Sequence, residues 1–164
     1  VDCAGKLLVA GANAVKIEGI FGQEEIIKHL VQSGIPVMSH IGLTPQFYNA
    51  LGGHKRQGKT EQARQKIKEE ALLSETLGCF GILLECIPED LASEITKEAK
   101  IATIGIGAGK NCDGQVLVLQ DMLGMSDFKP KFVHQYLQGA SLITDAFNQY
   151  AVEVSDGTFP YSDN

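Results

Sequence analysis

Short apolar runs alternate with stretches of helical spacing along most of the chain. Residues 14–18 set Ala14, Val15 and Ile17 around the polar Lys16 and Glu18, and predict a strand closed by Gly19. Residues 23–33 carry Ile26, Ile27, Leu30 and Val31 at helical spacing, and Gly34 ends that helix. A second strand is predicted over 35–41, with Pro36 near its start, where a missing N–H is tolerated. Residues 43–58 read as a long loop containing Pro45, Gly52 and Gly53. Thr60 is placed to cap a helix over 61–77 that Gly78 stops. The nearly continuous apolar run 80–86 is a third strand, and Pro88 opens a helix to Ala99. Residues 101–106 form a fourth strand and 115–120 a fifth. The first eleven residues read as the tail of a helix, and a last helix is predicted from about 131 to 154. The domain reading is one unit over 1–154 and an irregular tail over 155–164.

Strands that are apolar on both faces, separated by helices, predict an α/β fold with a parallel sheet covered by helices. The polar residues Lys16, Glu18, His40 and Glu85 all fall at the C-terminal ends of their strands. In open α/β sheets and in (β/α)8 barrels that edge is where ligands bind. Composition narrows the partners. The net charge is -6 with no Lys/Arg cluster, which speaks against nucleic acid. No apolar run approaches the ~20 residues of a membrane span, and no signal peptide is evident. The four cysteines form no CxxC pair, so reduced thiols in the cytoplasm are expected.

Lys16 and Glu18 are two apart, so on a strand they point to one side. A cation and a carboxylate sharing one face of a buried strand end need something polar there, unless they form a solvent-exposed pair. Glu85 ends the strand of Ile82, Leu83 and Leu84. Desolvation there would raise its pKa, as a general base near neutral pH requires; a salt-bridged or helix-capping Glu is the structural alternative. His40 is either a ligand group or a satisfied, partly buried histidine. His29, His54 and His134 read as surface residues, and no two histidines show metal-ligand spacing. Asp113 and Asp121 have no partner legible in the sequence, and Phe47, Tyr48 and Phe80 read as packing residues. Residues 53–60 match the P-loop pattern GxxxxGK[ST], but the lead-in 46–51 follows a Pro-containing loop and is no strand. Gly105, Gly107 and Gly109 misplace the third glycine of a dinucleotide fingerprint and fit a tight turn better.

Five stretches, taken together, resemble one family. They are Ala12-Asn13-Ala14-Val15-Lys16-Ile17-Glu18-Gly19; Gly34-Ile35-Pro36-Val37 with His40-Ile41-Gly42-Leu43-Thr44-Pro45-Gln46; Leu83-Leu84-Glu85-Cys86-Ile87-Pro88; Ile104-Gly105-Ile106-Gly107-Ala108-Gly109; and Asp113-Gly114-Gln115-Val116-Leu117-Val118. In order and spacing they resemble the ketopantoate hydroxymethyltransferases, from about residue 1 to 160. The resemblance implies a (β/α)8 (TIM) barrel, of which these residues would supply the last five strands. It implies a magnesium-dependent transfer of a hydroxymethyl group from 5,10-methylenetetrahydrofolate to 3-methyl-2-oxobutanoate, the first committed step to pantothenate. Glu85 would be the general base. Glu18 would belong to the metal site, directly or through water. Lys16 would contact the oxo-acid, and His40 would line the pocket near the new hydroxymethyl group. A homo-oligomer is implied, with a ring of dimers such as a decamer as one form.

The family barrel needs ~250 residues, and the three strands not seen here would carry two aspartates of the metal site. They are expected from a missing segment or another chain. An isolated 1–164 fragment is therefore expected neither to bind magnesium tightly nor to turn over. Three other readings stay open: an oxo-acid barrel like phosphoenolpyruvate mutase or isocitrate lyase, a P-loop nucleotide binder at 53–60, and a non-catalytic barrel relic.

Overall fold

A computed structural model describes residues 2–126 and 130–161. The chain divides into two compact units, 1–116 and 117–164. In the first, helix α1 (Asp2–Val9) leads into strand β1 (Val15–Glu18), followed by α2 (Glu24–Gln32) and β2 (Val37–Gly42). A short 3-10 turn (Pro45–Phe47) and helix α3 (Tyr48–Leu51) precede α4 (Glu61–Thr76). Then come β3 (Gly81–Glu85), α5 (Glu89–Glu98), β4 (Ala102–Ile106) and the two-residue β5 (Gly114–Gln115). All pairings are parallel, and the strands lie side by side in chain order. That sequential order, with α2, α4 and α5 as crossovers, is the arc that a (β/α)8 barrel is built from.

Register sorts the side chains by face. Val15, Val37, Ile41, Ile82 and Leu84 share one face and pack against Ile27 and Leu30 of α2, Ile67 and Ala71 of α4, and Leu91, Ala92 and Ile95 of α5. Each such fully buried aliphatic side chain contributes roughly 1.5–3 kcal/mol. The opposite face carries Lys16, Glu18, Met38, His40, Leu83 and Glu85, because each is two residues from, or register partner to, the next. The sheet therefore separates a helix-covered apolar layer from a face that bears the ionisable residues.

The caps follow sequence chemistry. Thr60 Oγ1 accepts from the Ala63 N–H at 3.2 Å and caps α4. Four boundaries differ from expectation. Residues 43–58 are not loop throughout, since they contain the 3-10 turn and α3. The fifth strand stops at Gln115: its pairing reaches only Gly105, because Gly107 and Gly109, both at positive φ, turn β4 away. From Leu119 the apolar run is helical instead, as α6 (Leu119–Met122).

The last helix, α7, starts at Gly139 and runs to Asp156, not from 131. The Tyr136 N–H donates to the Met122 carbonyl at 2.8 Å and the Gly139 N–H to Leu123 at 2.8 Å, so those donors are withdrawn from any i−4 ladder. Phe47, Tyr48 and Phe80 are exposed rather than packed. Gly157, at φ +77, ends α7, and the tail's residues 162–164 lie outside the described residues.

Candidate active site

Three strand ends bring Glu18, His40 and Glu85 together. Glu18 and His40 are register partners on β1 and β2, and Glu85 follows two residues after Leu83, the partner of His40 on β3. Nε2 of His40 lies 2.9 Å from Glu85 Oε2, and Nδ1 lies 3.7 Å from Glu18 Oε1. The imidazole is 1% exposed, against 11% for the Glu18 side chain and 19% for Glu85. The ring is thus sealed while both carboxylates reach the surface. Neither ring nitrogen makes an aligned hydrogen bond among the described residues, although Nε2 is within hydrogen-bond distance of Glu85. A buried imidazole with unaligned nitrogens is costly for folding and is the kind of feature active sites retain.

Backbone contacts set the two acids. Glu18 Oε2 accepts from the Gln46 N–H at 2.9 Å, and the Glu18 carbonyl accepts from Gln23 Nε2 at 2.6 Å. The Gly19 N–H donates to the His40 carbonyl at 2.8 Å, extending the pairing past Glu18. At the end of β3, the Leu43 N–H donates to the Glu85 carbonyl at 2.8 Å. That close crossing requires Gly42, which sits at φ +91; a Cβ there would stand 2.3 Å from the Glu85 carbonyl oxygen. Cys86, immediately after Glu85, holds φ +53, the sole non-glycine at positive φ among the described residues. Its N–H donates to Ile106 and its carbonyl accepts from the Gln57 N–H, both at 2.9 Å. Such a conformation costs roughly 1–2 kcal/mol and recurs where a functional side chain must be aimed.

Lys16 shares the face of Glu18 but lies one pair lower, opposite Met38. It is exposed and makes no hydrogen bond or ion pair among the described residues. Its ammonium is therefore available to an anion entering from solvent.

Sequence reasoning did not find the roles of Gln23, Gln46, Gly42 or Cys86: the first rests on a side-chain amide reaching a main-chain carbonyl, and the others on main-chain geometry between elements. It also left Asp113 without a partner. Its carboxylate accepts from the Thr103 N–H at 2.8 Å and from the Thr103 hydroxyl at 3.0 Å, bracing the β4–β5 connection.

The P-loop pattern does not form a phosphate cradle. Helix α3 and a turn, not a strand, lead into Gly53; Gly58 is buried against Leu91, Ile67 and Pro88; Thr60 is spent on its cap. The oxygen donors at the strand ends are also too few for magnesium. No group of three or more His, Cys, Asp or Glu side chains among the described residues is placed to hold a metal ion. A hard cation prefers an octahedral oxygen shell, and here an imidazole stands between the two carboxylates. These residues alone do not fit a closed magnesium site.

Comparison with known proteins identifies the family. The family model of the ketopantoate hydroxymethyltransferases matches residues 1–162. A 3-methyl-2-oxobutanoate hydroxymethyltransferase of Francisella tularensis subsp. tularensis is 58% identical over 155 residues, covering 94% of this chain and 59% of the relative. One from Bdellovibrio bacteriovorus is 58% identical over 156 residues, with 94% and 59% covered. One from Clostridium botulinum is 54% identical over 162 residues, with 98% and 59% covered. The chain thus spans about three-fifths of the length of these relatives. With its five-stranded parallel sheet and the acid–imidazole–acid cluster at its strand ends, the chain belongs to the ketopantoate hydroxymethyltransferase family.

Proposed function

We propose that the protein transfers a hydroxymethyl group from 5,10-methylenetetrahydrofolate to 3-methyl-2-oxobutanoate, giving 2-dehydropantoate. The observation that carries this reading is the cluster of Glu18, His40 and Glu85 on one sheet face, with Lys16 beside it. Family membership supplies the reaction class.

The carbon next to the ketone must lose a proton to become a nucleophile. Glu85, the acid at the end of the apolar β3, takes that proton and becomes the neutral carboxylic acid. Negative charge then develops on the keto oxygen as the enolate forms. Lys16 offers an ammonium to the substrate carboxylate and that oxygen. His40 keeps the Glu85 carboxylate on the substrate side, through its 2.9 Å contact. The enolate carbon attacks the one-carbon unit, forming a C–C bond as the first C–N bond to folate breaks and that nitrogen takes up the proton removed from the substrate. Water then replaces the second nitrogen on the same carbon, breaking the second C–N bond and giving that nitrogen its proton. Water supplies the hydroxyl oxygen, and the folate leaves with both N–H groups restored. Proton, water hydrogens and the two amines balance.

We also place the protein in a homo-oligomer. The support is α7, whose Leu142, Phe147 and Tyr150 are each more than half exposed.

The test is carbon-13 transfer at native length. Label from the methylene of the folate donor is expected in the hydroxymethyl carbon of the product. Cleavage of an oxo-acid without folate would favour the mutase or lyase reading instead.

A further inference from the structure

A hollow lies beside the acid cluster, on the helix side of the sheet. It encloses about 360 Å3, within the range of small-molecule sites. It reaches the cluster through two backbone positions: Gly19 directly follows Glu18, and Gly42 is the register partner of Glu85. Ile41 and Ile67 form part of its apolar floor, and the rings of Phe21 and Phe47, both nearly half exposed, border it. Such rings are positioned to cover a flat ligand rather than to fill a core.

One polar feature of the hollow has no structural use. Glu70, on the α4 face that lines it, is half-buried, and its carboxyl makes no hydrogen bond or ion pair among the described residues. Lys66, one helical turn earlier, holds its ammonium 5.7 Å from the Phe21 ring centroid. Burial raises the Glu70 pKa, and Lys66 partly offsets this, so the carboxyl is a cost to the empty fold. An acceptor of that kind is satisfied by two parallel N–H donors on one planar edge.

We propose that this hollow takes the ring of a reduced pterin, its 2-amino-4-oxo-pyrimidine edge on Glu70 and its faces against Phe21 and Phe47. This rests on the folate-dependent reading above, and it gives the one-carbon donor a place that meets the oxo-acid site at Gly19 and Gly42. The donor enters from the helix side and the oxo-acid from the other face, so the two substrates do not compete for one opening.

Guanine presents the same hydrogen-bonding edge, so the experiment separates the two sources. Calorimetry on the protein isolated at native length measures binding of tetrahydropterin, tetrahydrofolate and guanosine to wild type, Glu70→Gln and Phe21→Leu. In parallel, NMR in D2O follows loss of the C3 proton of 3-methyl-2-oxobutanoate without any folate. Both pterins are expected to bind wild type and to weaken at least tenfold in Glu70→Gln. A severalfold loss is expected in Phe21→Leu, whose exposed site keeps folding out of the result. Exchange rates should stay within twofold. No pterin binding, unchanged binding in both variants, or guanosine binding as tight as tetrahydropterin overturns the inference. Absence of exchange in wild type overturns the enolate reading instead, while calorimetry still decides the hollow.

Discussion

Nε2 of His40 stands 2.9 Å from Oε2 of Glu85 across the β2–β3 pairing, with the imidazole almost wholly sealed and the carboxylate open to a substrate. The proposed base, Glu85, is thereby held by a neighbour that solvent does not reach. Removing the carboxylate leaves that position without a proton acceptor. Glu85→Gln is expected to lower kcat by about 10²–10⁴-fold, the usual range for a lost general base. The KM for the oxo-acid should change far less. Steady-state kinetics at native length checks both.

Lys16 is predicted to act on charge rather than on folding. It is exposed and free of partners among the described residues, so Lys16→Ala should leave Tm within about 1–2 °C, as for a surface change of roughly 0.5 kcal/mol. Activity should fall by about 10²-fold if its ammonium faces the developing oxyanion. A normal kcat/KM would remove Lys16 from the site.

Gly42 is predicted to be the least replaceable residue near Glu85. An alanine would need φ +91 and would place its Cβ 2.3 Å from the Glu85 carbonyl oxygen and 2.7 Å from Ile87. Strain of this kind costs about 3 kcal/mol or more. Gly42→Ala should lower Tm by roughly 6–12 °C or prevent soluble expression. Gly34→Ala is the control: it also sits at positive φ, +80, but a Cβ there meets nothing within 4 Å, so a smaller loss is expected.

Glu70 predicts a pH dependence. Burial raises its folded pKa above the unfolded value, so the uncharged acid is the form the fold prefers. Its contribution to stability is fully present below the unfolded pKa and is lost as pH rises through the folded pKa. Asp90 and Glu94 run the other way: hydrogen bonds to Arg64 and Lys68 lower their pKa values, and their contribution is lost as pH falls through the folded values. Both carboxylates reach solvent, so salt screens them. The difference in Tm between Glu70→Gln and wild type should therefore grow as pH rises above the ordinary carboxylate range. A difference that is flat in pH contradicts the assignment.

The 164-residue chain is predicted to bind magnesium weakly, since no three-ligand group is present among its described residues. A tight ligand at a hundredfold excess over Kd would add ~2.7 kcal/mol to stability. Thermal melts with and without millimolar magnesium should coincide within a degree.

Much of this was legible beforehand. The strand–helix alternation, the parallel sheet and the convergence of Glu18, His40 and Glu85 follow from periodicity and from polar residues ending apolar runs. What escaped reading depends on contacts distant in sequence. Val116 to Leu119 is apolar enough for a strand, yet pairing ends with Gly105 because β4 turns away at Gly107. The stretch before Gly139 has no helix breaker after Pro130, but its N–H groups are taken by Met122 and Leu123. Asp113 meets Thr103 only once the β4–β5 connection has folded back. The Gln46 N–H reaches Glu18 from 28 residues away, which no local pattern encodes.

The most direct measurement follows the C3 proton of 3-methyl-2-oxobutanoate by NMR in D2O, with the protein at native length and no folate. Wild type is expected to replace that proton by deuterium, and Glu85→Gln to slow the replacement by at least a hundredfold. Equal exchange by both proteins would mean that Glu85 is not the proton acceptor, and the reading of the strand-end cluster would fall with it.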